Sequence, residues 1–324
     1  MKPRILSLGE ILIDFTPVAT NGKNPRFDQN PGGAPMNVLA AASKLGIHTE
    51  FIGCVGNDQF GHFLLDFLEK QGIGNSHVVL SETHHTTLAF VHLKENGERD
   101  FSFYRKHGAD LMLREEDIKE SFFKETKVFH FGSLSLTADP SRSATRKAIA
   151  IAKKKQCIIS YDPNLRPPLW DSLEKAKVHI LSVMKEVDIL KLSEEELMFL
   201  TGISDISEAS DRLYQDYKLP LMIVTMGEKG CALRRGKEFG QVEGVAVKAV
   251  DTTGAGDSHL GAMLAQFLTK KHYAVASFEE LLTYAKFANA YAGYVTTKFG
   301  SAETMPDKET VTRWAESSLS FFRD

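Results

Sequence analysis

The sequence is poor in the residue types that would commit it to several common roles. Three cysteines occur in 324 residues: Cys54, Cys157 and Cys231. They are far apart and odd in number, so they form neither a metal-ligand spacing nor a disulfide framework, which fits a reducing cytosol. No unbroken apolar run approaches the ~18 residues of a membrane-spanning helix. The opening MKPRILSLGEILIDF has a basic start and then an apolar stretch. Glu10 and Asp14 interrupt that stretch, which makes it a poor signal-peptide core. An excess of charge is lacking too: 39 Lys and Arg stand against 42 Asp and Glu, a formal net charge of -3. No global field draws the chain to nucleic acid or to an acidic membrane surface. The expectation is a soluble, cytoplasmic protein with neither as a partner.

Familiar nucleotide and protease signatures are also absent. There is no GxxxxGK[ST], no GxGxxG, no HRD and DFG pair and no HExxH. A chain of this kind that handles ATP does so by another design.

What is present is an ordinary globular composition, 43% hydrophobic and 25% charged. Short apolar runs alternate with helical patterns. ILSLG (5–9), FIGCVG (51–56), VFHFGS (128–133), CIISYD (157–162), DILKLS (188–193) and LMIVTMG (221–227) read as buried strands. Met36 to Leu45, Phe63 to Leu68, Arg142 to Ala152, Leu173 to Met184 and Glu194 to Leu200 read as helices. The alternation predicts βαβ units and a mostly parallel sheet covered on both faces. Ligands in such folds bind at the carboxyl ends of strands. Residues 10–30 and 86–104 break the pattern and read as antiparallel material, with a hairpin signal at ENGE. They form either a separate small lid or edge strands of the main sheet.

Several constellations carry chemistry. VDTTGAGDSHLGAML (250–264) sets Gly254, Ala255, Gly256 and Asp257 before an apolar helix expected from about Asp257. The glycines let consecutive N–H groups converge, the helix adds its positive end, and Asp257 can take a proton from a hydroxyl. Taken alone, an Asp cap after a Gly turn is the simpler explanation. NPGGAPMNVLAAASKLG (30–46) places Gly32 and Gly33 before a helix opened by Pro35, with Asn37 able to donate and accept. VTMGEKGCAL (224–233) offers Thr225, Gly227 and Gly230 at a strand end, equally suited to a hairpin. Ser193 and Glu196 in KLSEEELMFLTG make a capping box, and Glu196 also suits a magnesium held through water. Asp14 interrupts an apolar strand, Arg105 follows Tyr104, and DPNLRPPLW (162–170) lies past a strand.

Together these segments resemble the PfkB/ribokinase family of sugar and nucleoside kinases over nearly the whole chain. NPGGAPMNVLAAASKLG is similar to its N-terminal signature and DTTGAGDSHLGAML to its C-terminal one, in the right order. GEILIDF, SFYRKHGAD, DPNLRPPLW and KLSEEE look most like fructokinases, with 2-keto-3-deoxygluconate kinases close behind.

The resemblance implies a ribokinase-like three-layer α/β/α fold with a central mostly parallel sheet. It implies one kinase domain over 1–324, with β-lid segments near 10–30 and 86–110. It implies ATP and Mg2+, with K+ as a further cofactor; an exposed lid sheet could also pair with a second copy's lid to make a homodimer. By position, Asp257 matches the catalytic base, and Gly254, Ala255, Gly256 and the Asp257 amide match an anion hole. Asp14, Gly32, Gly33, Asn37, Phe103, Arg105 and Arg166 match the sugar side. Asn164, Lys191, Thr225, Gly227, Gly230 and Asn289 match the nucleotide side. Glu196 matches the magnesium position; Asp251, Thr253, Lys298 and Gly300 match a monovalent-cation loop that acts mainly through backbone carbonyls. The implied reaction is phosphorylation of the 6-hydroxyl of fructose. The alternatives are the keto-acid sugar, a non-catalytic binding protein, and a dehydrogenase that the missing GxGxxG argues against.

Two positions depart from the family pattern. Ser193 stands where an asparagine is usual, and His259 where phenylalanine is usual two residues past the base. His259 is expected to be a packed, hydrogen-bonded side chain.

Overall fold

Each of the six apolar runs becomes a strand of one sheet in the computed structural model, which describes residues 4–18, 26–93 and 99–318. The described chain starts with β1 (Arg4–Leu8), β2 (Leu12–Val18), β3 (Arg26–Gly32) and α1 (Ala34–Lys44). Then come β4 (His48–Gly56), α2 (Gln59–Lys70), β5 (Ile73–Ser81), β6 (Leu88–Leu93) and β7 (Arg99–Tyr104). The middle holds β8 (Thr126–Gly132), α3 (Ser141–Lys154), β9 (Ile158–Asp162), α4 (Leu173–Leu181), β10 (Ile189–Ser193), α5 (Glu194–Thr201) and α6 (Ile206–Tyr217). The C-terminal part holds β11 (Leu221–Thr225), β12 (Cys231–Arg235), β13 (Glu238–Val242), α7 (Ala255–Thr269), α8 (Phe278–Thr296) and α9 (Lys308–Ser318).

The main sheet has nine strands in the order β13-β12-β11-β10-β9-β8-β1-β4-β5. All pairs from β11 to β5 are parallel; β12 and β13 add antiparallel edge strands. Its strands are apolar on both faces because both are covered. In β10, Ile189 joins one core, while Leu190 and Leu192 join the other. The first core is completed by α1, α7 and α8 through Val38, Leu264 and Tyr291. The second is completed by α3, α5 and α6 through Ala148, Leu197 and Leu213. This is the three-layer α/β/α fold. Strand order turns about β1, which lies between β4 and β8, and ligands of parallel sheets lodge at such reversals.

A second sheet of four strands, β3-β2-β6-β7, stands apart as the lid. It is not wholly antiparallel as expected, because β2 and β6 pair in parallel. The reason is geometric: β2 follows β1 and β6 follows β5, and the parallel strands β1 and β5 both leave the main sheet at its carboxyl-terminal end. The turn at ENGE lies outside the described residues. Asn30, Asp14, Ala89 and Phe103 are in register across the lid. The adjacent row carries Phe15 stacked on Phe90 at 4.8 Å, and Phe15 meets Phe60 of α2 edge-on at 5.8 Å.

Candidate active site

The site begins at the head of α7. This helix starts at Ala255, two residues earlier than expected, with Gly254 as its cap at φ +75°. That left-handed backbone suits glycine, and a Cβ there would also fall 2.8 Å from Ser301 Cβ. The earlier start puts Asp257 inside the first turn, so it is not a capping residue. The Ala255 amide is engaged locally, donating to Thr252 O at 3.3 Å, so of the expected anion-hole groups it is the one with a backbone partner.

Asp257 is 9% exposed. Its Oδ2 accepts a 2.8 Å hydrogen bond from Asn37 Nδ2. Asn37 lies in the first turn of α1, and its Oδ1 accepts from Ser301 Oγ at 3.3 Å. Burial pushes the Asp257 carboxyl above the usual range; the Lys191 charge and the Asn37 bond pull it back, while Asp162 adds to the rise. The result is a carboxylate held in a dry environment next to hydrogen-bond donors, the setting of a general base. Ser301 was not singled out from sequence, since a serine in a loop carries no signal by itself.

Lys191 and Asp162 form the second cluster. Asp162 ends β9 and Lys191 lies in the middle of the neighbouring β10, with Lys191 Nζ 2.8 Å from Asp162 Oδ2 and both nearly fully buried. Burial opposes the lysine charge, but Asp162, Glu196 and Asp257 outweigh it and raise its pKa. A Cβ on Gly256 would fall 2.7 Å from Lys191 Nζ, so the ammonium sits directly against the α7 N-terminus. Asp162 opens the DPNLRPPLW segment but was not picked out as a site residue. Asn164 follows at φ +44°, its N–H on Asp162 Oδ1 at 3.2 Å.

Glu196 forms the expected capping box with Ser193: Glu196 N donates to Ser193 Oγ at 3.1 Å, and Ser193 N donates to Glu196 Oε2 at 2.8 Å. Its Oε1 also accepts from Leu165 N at 2.6 Å. Burial and the Asp162 charge raise this carboxyl. Among the described residues no three His, Cys, Asp or Glu converge into a metal cage. With both oxygens on backbone amides, Glu196 has lone pairs left for a metal-bound water, and magnesium keeps much of its water shell. The residues therefore fit a water-mediated magnesium.

A cavity of about 810 Å³ opens beside this cluster. It brings together Thr225, Gly227, Gly230, Ala255, Gly256 and Asn289, which lie far apart in sequence. Lys191 and Asn164 are not on its wall. Gly227 and Gly230 also close the β11–β12 connection, so the hairpin and the cavity wall are one structure. His259 lies on the wall and is 2% exposed. It is packed as expected, with the Asn289 side chain as its hydrogen-bonding neighbour. Burial pushes the imidazole down to about 3, and the Asn289 side chain opposes that shift.

The expected sugar residues fall on the lid and the first helix. Asp14 faces Gly32 so closely that a Cβ on Gly32 would fall 2.1 Å from Asp14 Oδ2. Phe103 shares its row. Gly33 caps α1 at φ +126°, packed against Glu10 O. Arg105 is buried and largely committed: Nε donates to Asp110 at 2.7 Å, Nη1 to Thr137 at 3.1 Å and Nη2 to Leu134 O at 2.9 Å. Arg166 is exposed, yet its charge acts on Asp257. Glu10 was read only as a break in an apolar run. It is 3% exposed, accepts from Ala34 N at 3.3 Å through Oε1, and leaves Oε2 unpartnered. Burial pushes its carboxyl up to about 7.

The loop pair at 251–300 also closes. Asp251 Oδ1 accepts from Thr253 N at 2.8 Å and Oδ2 from Gly300 N at 3.2 Å. Lys298 turns outward and donates to Tyr294 Oη at 2.7 Å, so its side chain has no place in this loop.

A buried carboxylate at a helix N-terminus, a buried lysine beside it and a cavity on one side meet at one point of the fold. The family description "pfkB family carbohydrate kinase" matches residues 2–308, and the chain belongs to that family. It is a carbohydrate kinase, a phosphotransferase with an alcohol acceptor. It is similar to Fructokinase-1 of Zea mays, 40% identical over 317 residues, 97% of this chain and 98% of the relative. Fructokinase-2 of Solanum lycopersicum is 41% identical, with 93% of each chain covered. Among solved structures, fructokinase with bound ATP from Xylella fastidiosa superposes with a TM-score of 0.90 at 31% identity, covering 98% and 99% of the two chains. A double-mutant fructokinase from Vibrio cholerae O395, in a fructose, ADP and potassium ion bound form, superposes at 0.87 and 32% identity, covering 97% and 99%.

Proposed function

We propose that this chain transfers the γ-phosphoryl group of ATP to the 6-hydroxyl of D-fructose, giving fructose 6-phosphate and ADP. The observation that carries the reading is the buried Asp257 carboxylate, held by Asn37 in the first turn of α7. In this reading Asp257 takes the hydroxyl proton as the sugar oxygen bonds to the γ-phosphorus and the bond to the ADP oxygen breaks. The Gly256 and Asp257 amides, with the helix end, stabilise charge on the phosphoryl oxygens, and Lys191 adds a positive charge at the same point. Magnesium, when bound, would neutralise phosphate charge, with Glu196 holding one of its waters. The cavity wall of Thr225, Gly227, Gly230 and Asn289 takes the nucleotide, and Asn164 flanks its phosphates.

Fructose is favoured by Asp14. A carboxylate suits a pair of sugar hydroxyls and repels an acid sugar. Gly32, Gly33, Phe103, Arg166 and the remaining Arg105 N–H complete the acceptor side. The Asp251, Thr253 and Gly300 loop suits K+ through backbone carbonyls. One kinase domain acting in the cytoplasm fits the composition. The lid's outer strands β3 and β7, with Tyr104 66% exposed, support a homodimer formed edge to edge.

The test compares ATP-dependent phosphorylation of fructose and of 2-keto-3-deoxygluconate by coupled ADP release. Fructose is expected to be the better acceptor by at least about tenfold in kcat/KM, the scale of one mispaired charged contact. Turnover of the keto acid alone would overturn the choice of fructose and leave the kinase chemistry standing.

A further inference from the structure

Among the described residues the chain passes between the main body and the lid four times, at 9–11, 32–34, 82–87 and 105–110. One buried polar cluster has a member in each crossing. Glu10 lies in the first, and its Oε1 accepts from Ala34 N in the second at 3.3 Å. Thr87 lies in the third and Asp110 in the fourth, with Thr87 Oγ1 donating to Asp110 Oδ1 at 2.5 Å. Arg105, also in the fourth, grips Asp110 Oδ2 through Nε and Nη2, both at 2.7 Å. The same guanidinium reaches the main body at Thr137 Oγ1 and Leu134 O. Glu10, Thr87, Arg105 and Asp110 are each at most 5% exposed.

The cluster holds two carboxyls and one guanidinium. Asp110 is hydrogen-bonded to the guanidinium, whereas Glu10 acts on the pair through its charge. Ionising Glu10 sets two carboxylates against one cation in a dry setting, which is costly. Burial accordingly pushes its carboxyl up to about 7. The charged groups that face it are Arg105 and Asp110. The opening turn of α1 packed against it, Ala34 to Asn37, carries nothing that titrates. Cys54 of β4, which feels the Asp110 charge, keeps its proton, its thiol pushed up to about 12 mainly by burial.

We propose that Glu10 is a positioning residue for the sugar acceptor: neutral, it leaves Arg105 on Asp110 and the four crossings in register, and ionised, it draws the guanidinium away and loosens the lid over the sugar. Glu10 itself meets no reacting atom. The inference rests on the acceptor reading given above, in which Arg105 is a sugar contact. None of the four cluster side chains lines the nucleotide cavity, so ATP binding should not follow the change.

The experiment measures kcat and the KM for fructose and for ATP from pH 6 to pH 8, in the wild type and in Glu10→Gln. Glutamine keeps an acceptor for the Ala34 amide and cannot ionise. The wild-type KM for fructose is expected to rise about tenfold over this range, as the neutral fraction of a group titrating near 7 falls. In Glu10→Gln it stays within about twofold of the wild-type value at pH 6, and the KM for ATP follows neither change.

A wild-type KM for fructose that is flat over this range overturns the inference. So does a rise that Glu10→Gln retains, or one that the KM for ATP shares, since a general loosening of the fold behaves that way. If Glu10→Gln does not fold, Asp110→Asn is read instead: with one carboxyl fewer, Glu10 ionises more readily and the rise moves to lower pH. An unmoved rise in that variant counts against Glu10. A wild type that phosphorylates the keto acid and not fructose sinks the fructose reading, while the same series run with the keto acid still decides on Glu10. A wild type inert on both removes the acceptor reading and this inference with it.

Discussion

Asn37 and Asp257 are 220 residues apart in sequence and 2.8 Å apart in space, with the amide Nδ2 donating to carboxylate Oδ2. The bond ties the first turn of α1 to the first turn of α7. It holds the carboxylate at one oxygen, and in the proposed reaction the other meets the acceptor hydroxyl.

Replacing Asp257 by Asn removes the proton acceptor and keeps the size of the side chain. Turnover should fall by at least ~100-fold, the scale of losing a general base. ATP and fructose should still bind within a few-fold by calorimetry. Near-normal kcat in this variant would remove Asp257 from the role of base.

Asn37→Ala tests the bond itself. The Asn37 hydrogen bond lowers the Asp257 pKa, so its loss raises it. A base works deprotonated, and the acid limb of the kcat profile should therefore move to higher pH. An unmoved limb with reduced kcat would mean that Asn37 acts on the sugar and not on the carboxylate.

Lys191 and Asp162 are a buried pair at 2.8 Å. Lys191→Met strands the Asp162 charge, and such losses cost about 3–5 kcal/mol. The double variant Lys191→Met, Asp162→Asn should recover most of that stability in urea titrations but not the affinity for ATP. Recovery of both would assign the pair to the fold alone.

Glu10 gives a pH signature. Its folded pKa is about 7 against an ordinary 4.5, so the folded state holds the proton more tightly than the unfolded state. Its contribution is present in full below about 4.5 and is lost as pH rises through about 7. Stability should fall over that window by up to about 3 kcal/mol. Glu10→Gln, which stays neutral, should flatten that slope in melts taken at pH 5, 6, 7 and 8. An unchanged slope would place the titration elsewhere.

The alternation of apolar runs exposed the parallel sheet because strands buried on both faces need apolar residues on both. Runs such as LMIVT could hardly be anything else. β5 was not legible for the opposite reason: IGNSHVVLS lies at the sheet edge, half-buried, with polar residues along it. The glycine signatures exposed Gly33, Asn37 and Asp257 because backbone geometry restricts what can stand there. Glu10, Asp162 and Ser301 escaped because their importance comes from partners far off in sequence, which no local pattern encodes.

The proposed acceptor residues from Asp14 to Arg105 come from the first third of the chain, with Arg166 as the exception beyond it. The nucleotide wall and Asp257 come from the last two thirds, and the Asn37 amide spans them with one bond to Asp257 and one to Ser301. On the proposed roles, sugar preference and phosphate chemistry are thus written in largely separate stretches of the chain. A lineage can exchange one sugar for another by editing the lid while leaving the phosphoryl-transfer machinery intact, provided that the amide at 37 stays in place.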